Sequence, residues 1–127
     1  MRLKNFSLNY GTQIFKSFSE ESRVRIIYLL FHKNELCITD LESILDFTQT
    51  KTSRHIAYLK NAGLVSSRKL DQWVLYSLKE EVKDMLGQIF SFLHKDAILQ
   101  GDLETFNILY SNRELSLNKI EQKNWRQ

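Results

Sequence analysis

The sequence predicts a mostly α-helical chain with one small β-hairpin. Two observations carry that reading. Proline is absent and glycine occurs only four times in 127 residues, which favours long helices over a loop-rich β fold. Helical periodicity runs through most of the chain and changes to strand alternation once, after Gly63. Hydrophobic residues make up 43% of the chain and aromatics 12%, enough to build an ordinary core and too much for a disordered protein.

The first predicted helix covers 3–16, with Leu3, Phe6, Tyr10, Ile14 and Phe15 as a loose stripe interrupted by Gly11. So aromatic a stripe either packs on the last helix or crosses to another subunit. Ser19 reads as the N-cap of a second helix, with Glu20 and Glu21 in the first turn where the helix dipole favours anions. Val24, Ile27, Leu30 and Phe31 form its buried stripe, and His32 falls at the surface. A short third helix follows. Thr39 and Glu42 have the spacing of a capping box, and Leu41, Ile44 and Leu45 face inward. Asp46 and Phe47 make a tight turn, and Thr48 caps the next helix.

Residues 48–61 are the stretch around which the chain is organised. At 100° per residue, Thr52, His55, Ile56, Leu59 and Ala62 share the inner side. Thr50, Ser53, Arg54, Ala57 and Asn61 share the outer side, with Gln49 and Lys60 at its edge. The outer side is small, polar and basic. Short side chains permit close approach to a DNA major groove, and Gln, Ser, Thr and Arg meet base edges and phosphates. Two short helices joined by so few residues form a helix-turn-helix. Gly63 supplies the left-handed position that ends the reading helix, and Leu64 covers the cap.

A hairpin follows, Val65–Leu70 and Trp73–Leu78, with a basic first strand and Asp71-Gln72 at its tip. Such a wing lies along the phosphates or dips into the minor groove. The architecture expected is therefore a winged helix-turn-helix. Net charge is +3, yet residues 48–70 carry five bases (Lys51, Arg54, Lys60, Arg68, Lys69) and no acid, so the remainder carries −2. A local positive field of this kind is the footprint of phosphate binding.

Ser77 and Glu80 repeat the capping-box spacing and open a long fifth helix to about Gln100. Its apolar positions, among them Ile89, Phe90, Phe92 and Leu93, cover more of the helix than one surface stripe needs, and part of that face is best explained by a second subunit. His94 lies at its edge. Leu103, Phe106, Leu109 and Tyr110 extend the helical pattern beyond Gly101-Asp102. Phe90, Phe92, Phe106 and Tyr110 are compatible with a pocket for an apolar effector, although packing explains them more simply. The expected organisation is a DNA-binding and dimerisation domain over 1–110 and a polar tail over 111–127 that is mobile or weakly helical.

The single cysteine, Cys37, excludes an internal disulfide and fits a reducing, cytoplasmic setting. It reads first as a small hydrophobe at a helix start and second as a candidate thiol sensor. No segment approaches the ~20 apolar residues of a membrane span. There is no Gly-rich phosphate loop, no nucleophile with a base, and no paired carboxylates near an expected cleft, so an enzyme is the weakest reading. A protein-binding winged helix is the competing one.

From Phe18 to Leu78 the order and spacing resemble the ArsR/SmtB family of winged helix-turn-helix transcriptional repressors. The matching pieces are FSEESRVRIIYLL, ELCITDLESIL and TQTKTSRHIAYLKNAGLVSSRKLDQWVLYSL. The resemblance implies a homodimer through the first and fifth helices, here Phe6, Tyr10, Ile14, Ile89, Phe90, Phe92 and Leu93. It implies repression by binding a double-stranded operator, released by an effector that the sequence does not identify. Its DNA-contacting positions map to Gln49, Thr50, Ser53 and Arg54, with Lys51, Lys60, Arg68, Lys69 and Gln72 alongside. The family's thiolate metal site has Thr39 here in place of its second sulfur, and one thiolate cannot make the shell that soft metals require. The family's other metal site maps to Glu81, Lys83, His94 and Ala97, which keeps two of four ligands. No metal and no cofactor is therefore expected.

Overall fold

A computed structural model describes residues 6–125. Leu3 and the start of the predicted first helix lie outside them. The elements run α1 Leu8–Ser17, α2 Glu21–Lys33, β1 Glu35–Cys37, α3 Ile38–Leu45, α4 Gln49–Asn61, β2 Val65–Leu70, β3 Trp73–Leu78, α5 Glu80–Phe90, α6 Ala97–Ser111 and α7 Ser116–Trp125. The strands form one antiparallel sheet in the order β1-β3-β2. This is the winged helix-turn-helix that the periodicity predicts, with a third strand and two further helices added.

The core is built around α2. Ile26, Ile27, Tyr28, Leu29 and Leu30 are all fully buried, so the helix is covered on more sides than its predicted stripe requires. A helix apolar over most of its circumference belongs in the interior, and α4, α5, α6 and β3 all pack on it. Each fully buried Leu or Ile here contributes about 1.5–3 kcal/mol relative to exposure. Leu41 from α3, Ile56 and Leu59 from α4, and Val82 and Leu86 from α5 complete the same cluster.

Gly63 has φ 86°. Leu64 N donates to Leu59 O at 3.1 Å and Gly63 N to Lys60 O at 3.2 Å, the Schellman pattern that closes a helix end. The Tyr10 hydroxyl donates to Gly63 O at 2.7 Å. A Cβ at this position would stand 2.8 Å from the Tyr10 ring, so α1 seats directly on the end of α4.

The structure corrects or adds to four sequence expectations. The fifth helix does not run on to Gln100: α5 ends at Phe90, and Asp96 starts α6 by accepting from Ile98 N at 2.9 Å and Leu99 N at 3.2 Å. The break lets α6 fold back over α2 and α3. Gly101 and Asp102 then sit inside α6, where buried Asp102 holds Arg25 through two hydrogen bonds of 2.8 and 2.9 Å. Second, the polar tail carries a docked helix: α7 packs on α3 and β1, with Leu115 and Ile120 buried. Third, neither predicted capping box forms. α3 begins straight after β1, with Cys37 at its N-cap and no side-chain bond, and α5 is likewise preceded by uncapping Lys79. At α2 the cap is Glu20, one residue later than Ser19.

The fourth concerns the residues of the expected subunit face, which differ in exposure within the single chain. Ile14 and Phe90 are 1% and 3% exposed within their own chain, because α1 and α5 turn these residues onto the core around Tyr28 and Phe18. Ile89, Phe6 and Tyr10 are half-buried. Phe92 is 88% exposed and Leu93 36%, joined on α1 by Leu8 at 88% and Phe15 at 71%. Among the described residues no helix is long and apolar enough to cross a membrane.

Candidate nucleic-acid interface

The helix-turn-helix consists of α3, a turn and α4. Asp46 takes the left-handed conformation at φ 57° that ends α3, which Asp tolerates better than most residues. The Phe47 ring in the turn meets two cations, Lys51 Nζ at 4.1 Å and the Arg25 guanidinium at 5.1 Å from its centroid. Thr48 caps α4 as predicted, its hydroxyl accepting from Lys51 N at 3.1 Å. Thr52 is fully buried and returns its hydroxyl to Thr48 O at 2.8 Å. With Ile56 and Leu59 anchored inside, the rotation of α4 is fixed.

That rotation places Gln49, Thr50, Arg54, Ala57, Lys60 and Asn61 in solvent, with Ser53 and Lys51 half-buried. The outer face of α4 is acid-free, and Arg54 makes no ion pair with any described residue. Lys60 Nζ donates to Ser67 Oγ at 2.9 Å, tying the end of α4 to the wing. Strand alternation sends Ser67 and Lys69 to the α4 side of the sheet and Arg68 to the other side. Lys69 and Gln72 are exposed.

Arg68, expected on the phosphate backbone, is paired within the chain. Its guanidinium donates to both carboxylate oxygens of Glu35 at 2.6 and 2.9 Å, and the bond holds the Glu35 carboxyl below its ordinary range. The partner comes from β1, a strand of three residues too short to be read from alternation. Sequence reasoning also missed the two braces behind α4. His55 Nε2 stands 3.4 Å from Glu20 Oε2, and the Arg23 guanidinium lies 4.1 Å over the Tyr58 ring. Both link α4 to α2, and no local pattern announces either.

Cys37 is 4% exposed, packed with Leu75 and Ile120. Burial, with Asp40 and Glu35 nearby, pushes its thiol up to about 11, so it is protonated at neutral pH. The residues at the family's metal positions do not fit a metal ion. Thr39 Oγ1 is 3.0 Å from Ser116 Oγ, Lys83 is paired with Glu80 at 2.8 Å, and the His94 ring meets Ser91 O at 2.9 Å. Among the described residues, no three His, Cys, Asp or Glu side chains cluster as ligands.

Residues 20–67 match the family model described as bacterial regulatory protein, arsR family. The match runs from the cap of α2 into β2. The arsenic resistance transcriptional regulator ArsR1 of Pseudomonas putida is 35% identical over 88 residues, covering 69% of this chain and 62% of that protein. The arsenical resistance operon repressor of Escherichia coli is 43% identical over 77 residues, 61% of this chain and 66% of that protein. The chain thus spans less than two thirds of the length of either. Among solved structures, HlyU from Vibrio cholerae superposes with a TM-score of 0.60 at 34% identity, covering 65% of this chain and 90% of that one. The turn, α4 and the start of β2 lie within the residues that the family model matches, and this chain belongs to the ArsR family of bacterial regulatory proteins.

Proposed function

We propose that the protein is a sequence-specific DNA-binding transcriptional regulator, a repressor acting as a homodimer on a double-stranded operator. One observation carries the reading: the outer face of α4 is small, polar, cationic and free of acid, with Arg54 exposed and without an ion-pair partner among the described residues. A helix so presented enters a major groove with its N-terminal residues against base edges. Gln49, Thr50, Ser53 and Arg54 read bases, while Lys51, Lys60, Lys69 and Gln72 position the backbone. The exposed apolar residues Leu8, Phe15, Phe92 and Leu93 supply material for a subunit contact, which family membership supports. Two copies then place two reading helices about one DNA turn apart.

The test is selection of duplexes from a random pool, followed by fluorescence anisotropy as salt is varied. A retained consensus with two half-sites is expected. Lys69→Ala weakens all duplexes alike and lowers the salt slope by about one. Absence of affinity for any duplex at low salt removes the reading.

A further inference from the structure

The tip of the wing poses an electrostatic problem. Asp71 sits there in the left-handed conformation, φ 55°, exposed to solvent. A carboxylate on the part of a wing that lies against DNA repels phosphate, and the hairpin's tip, Asp71-Gln72, contains no cation of its own. The cation comes from the far end of the chain. Lys123 Nζ is 2.6 Å from Asp71 Oδ2, with about half of both side chains in solvent, and it lies 5.9 Å from the Trp73 ring.

α7 brings it there along a defined track. Asp40, 2% exposed on α3, accepts from Ser116 N at 2.7 Å and Leu117 N at 3.0 Å. A buried carboxylate at a helix N-terminus meets both the free donors and the positive end of the dipole. The next turn inserts Ile120 against Cys37 and Leu75 on the outer face of the sheet. Lys123, three residues further on the same side of the helix, reaches the tip. Two turns of helix, from Ser116 to Lys123, advance about 10 Å along that track.

We propose that α7 is part of the DNA-facing surface: by docking along α3 and the wing it delivers Lys123 to the tip, cancels the charge of Asp71, and lets the wing approach phosphate. The inference rests on the DNA-binding reading above and adds a positioning residue to it. Family matching stops at residue 67, before α7 begins.

The experiment compares wild type, Lys123→Ala, Asp71→Asn and the double variant on a fluorescein-labelled duplex selected by the wild-type protein, at low and moderate salt. Asparagine is used because it tolerates the left-handed backbone. Modification of Cys37 by a thiol reagent reports docking, since Ile120 packs over it. Lys123→Ala should lose about fivefold in affinity at low salt with Cys37 still protected, and the double variant should return to within about twofold of wild type. Ile120→Asp, which undocks α7 and exposes Cys37, should bind as weakly as Lys123→Ala. Wild-type affinity in Lys123→Ala, or a double variant as weak as Lys123→Ala, overturns the proposal. A wild-type protein that retains no duplex removes the DNA reading and this inference with it. Wild-type binding with an indifferent Lys123→Ala removes the inference alone.

Discussion

The outer face of α4 and the face that α6 and α7 cover differ in what their charges do. On α4, Arg54 is exposed and unpaired, and no acid stands on its helix. Beneath and along α6 and α7, charges are held by partners: Arg25 with Asp102, Asp40 with the first amides of α7, Lys123 with Asp71. Arg68 on the outer wing face is likewise spent on Glu35. A cation that is already neutralised adds little to a phosphate surface, because an incoming anion must displace its partner. The five-base segment of the sequence therefore presents fewer free charges to an incoming anion than a count of residues suggests, and those remaining are concentrated on α4 and the inner side of the wing.

Breaking the buried Arg25–Asp102 pair should cost the fold and spare recognition. Asp102→Ala leaves Arg25 without its fork of hydrogen bonds at a site where Asp102 is 7% exposed and Arg25 27%. The expected loss is about 2–3 kcal/mol, below that of a fully buried pair because Arg25 keeps some water. A urea midpoint shift measures it. DNA affinity of the folded variant should stay at the wild-type value, and a parallel collapse of affinity would show that α6 supports the reading face directly.

Breaking the open side should do the reverse. Arg54→Ala removes no internal contact, so thermal stability should hold to within a few tenths of a kcal/mol. Binding to the selected duplex should weaken by ~1–3 kcal/mol, with preference lost at one position of the half-site if Arg54 reads a base. A uniform loss across all duplexes would reassign Arg54 to the backbone.

The same division separates what the sequence discloses from what it hides. Local chemistry was legible. Thr48 as a cap, Gly63 as a terminator, the inward Thr52, Ile56 and Leu59, and both strand boundaries of the hairpin follow from periodicity and turn chemistry within a few residues. Features set by distant partners were not. The break at residues 91–96 is hidden because apolar residues continue through it, and only Asp96 hints that a new helix starts. β1 exists through pairing with β3. The docking of α7 depends on Asp40, 76 residues before Ser116, whose low hydrophobicity in a third helix reads as ordinary solubility. The pairing of Arg68 was hidden because its partner, Glu35, belongs to that unseen strand.

The smallest expected effect concerns the brace where the two sides meet. His55 lies behind the reading face, and burial first, then Arg23, Lys51 and Arg54, push it below its ordinary pKa, while Glu20 pulls the other way. The folded protein thus binds this proton less readily than the unfolded chain, so His55 favours the fold above an unfolded-state pKa of about 6.5 and the advantage fades as pH falls through it. His32 is displaced in the same direction by burial and Lys33, so the measurement is a difference. Glu20, held low by the Ser22 amide and His55 against the effect of burial, gives up its stabilisation only at more acid pH, below about 4.5. Urea unfolding of wild type and His55→Gln between about pH 8 and 5.5 should show the wild type losing more stability on acidification. Arg54→Ala, which removes one of the repelling cations, should shrink that loss. Equal slopes in all three proteins would mean that the open face of α4 does not act on the histidine behind it.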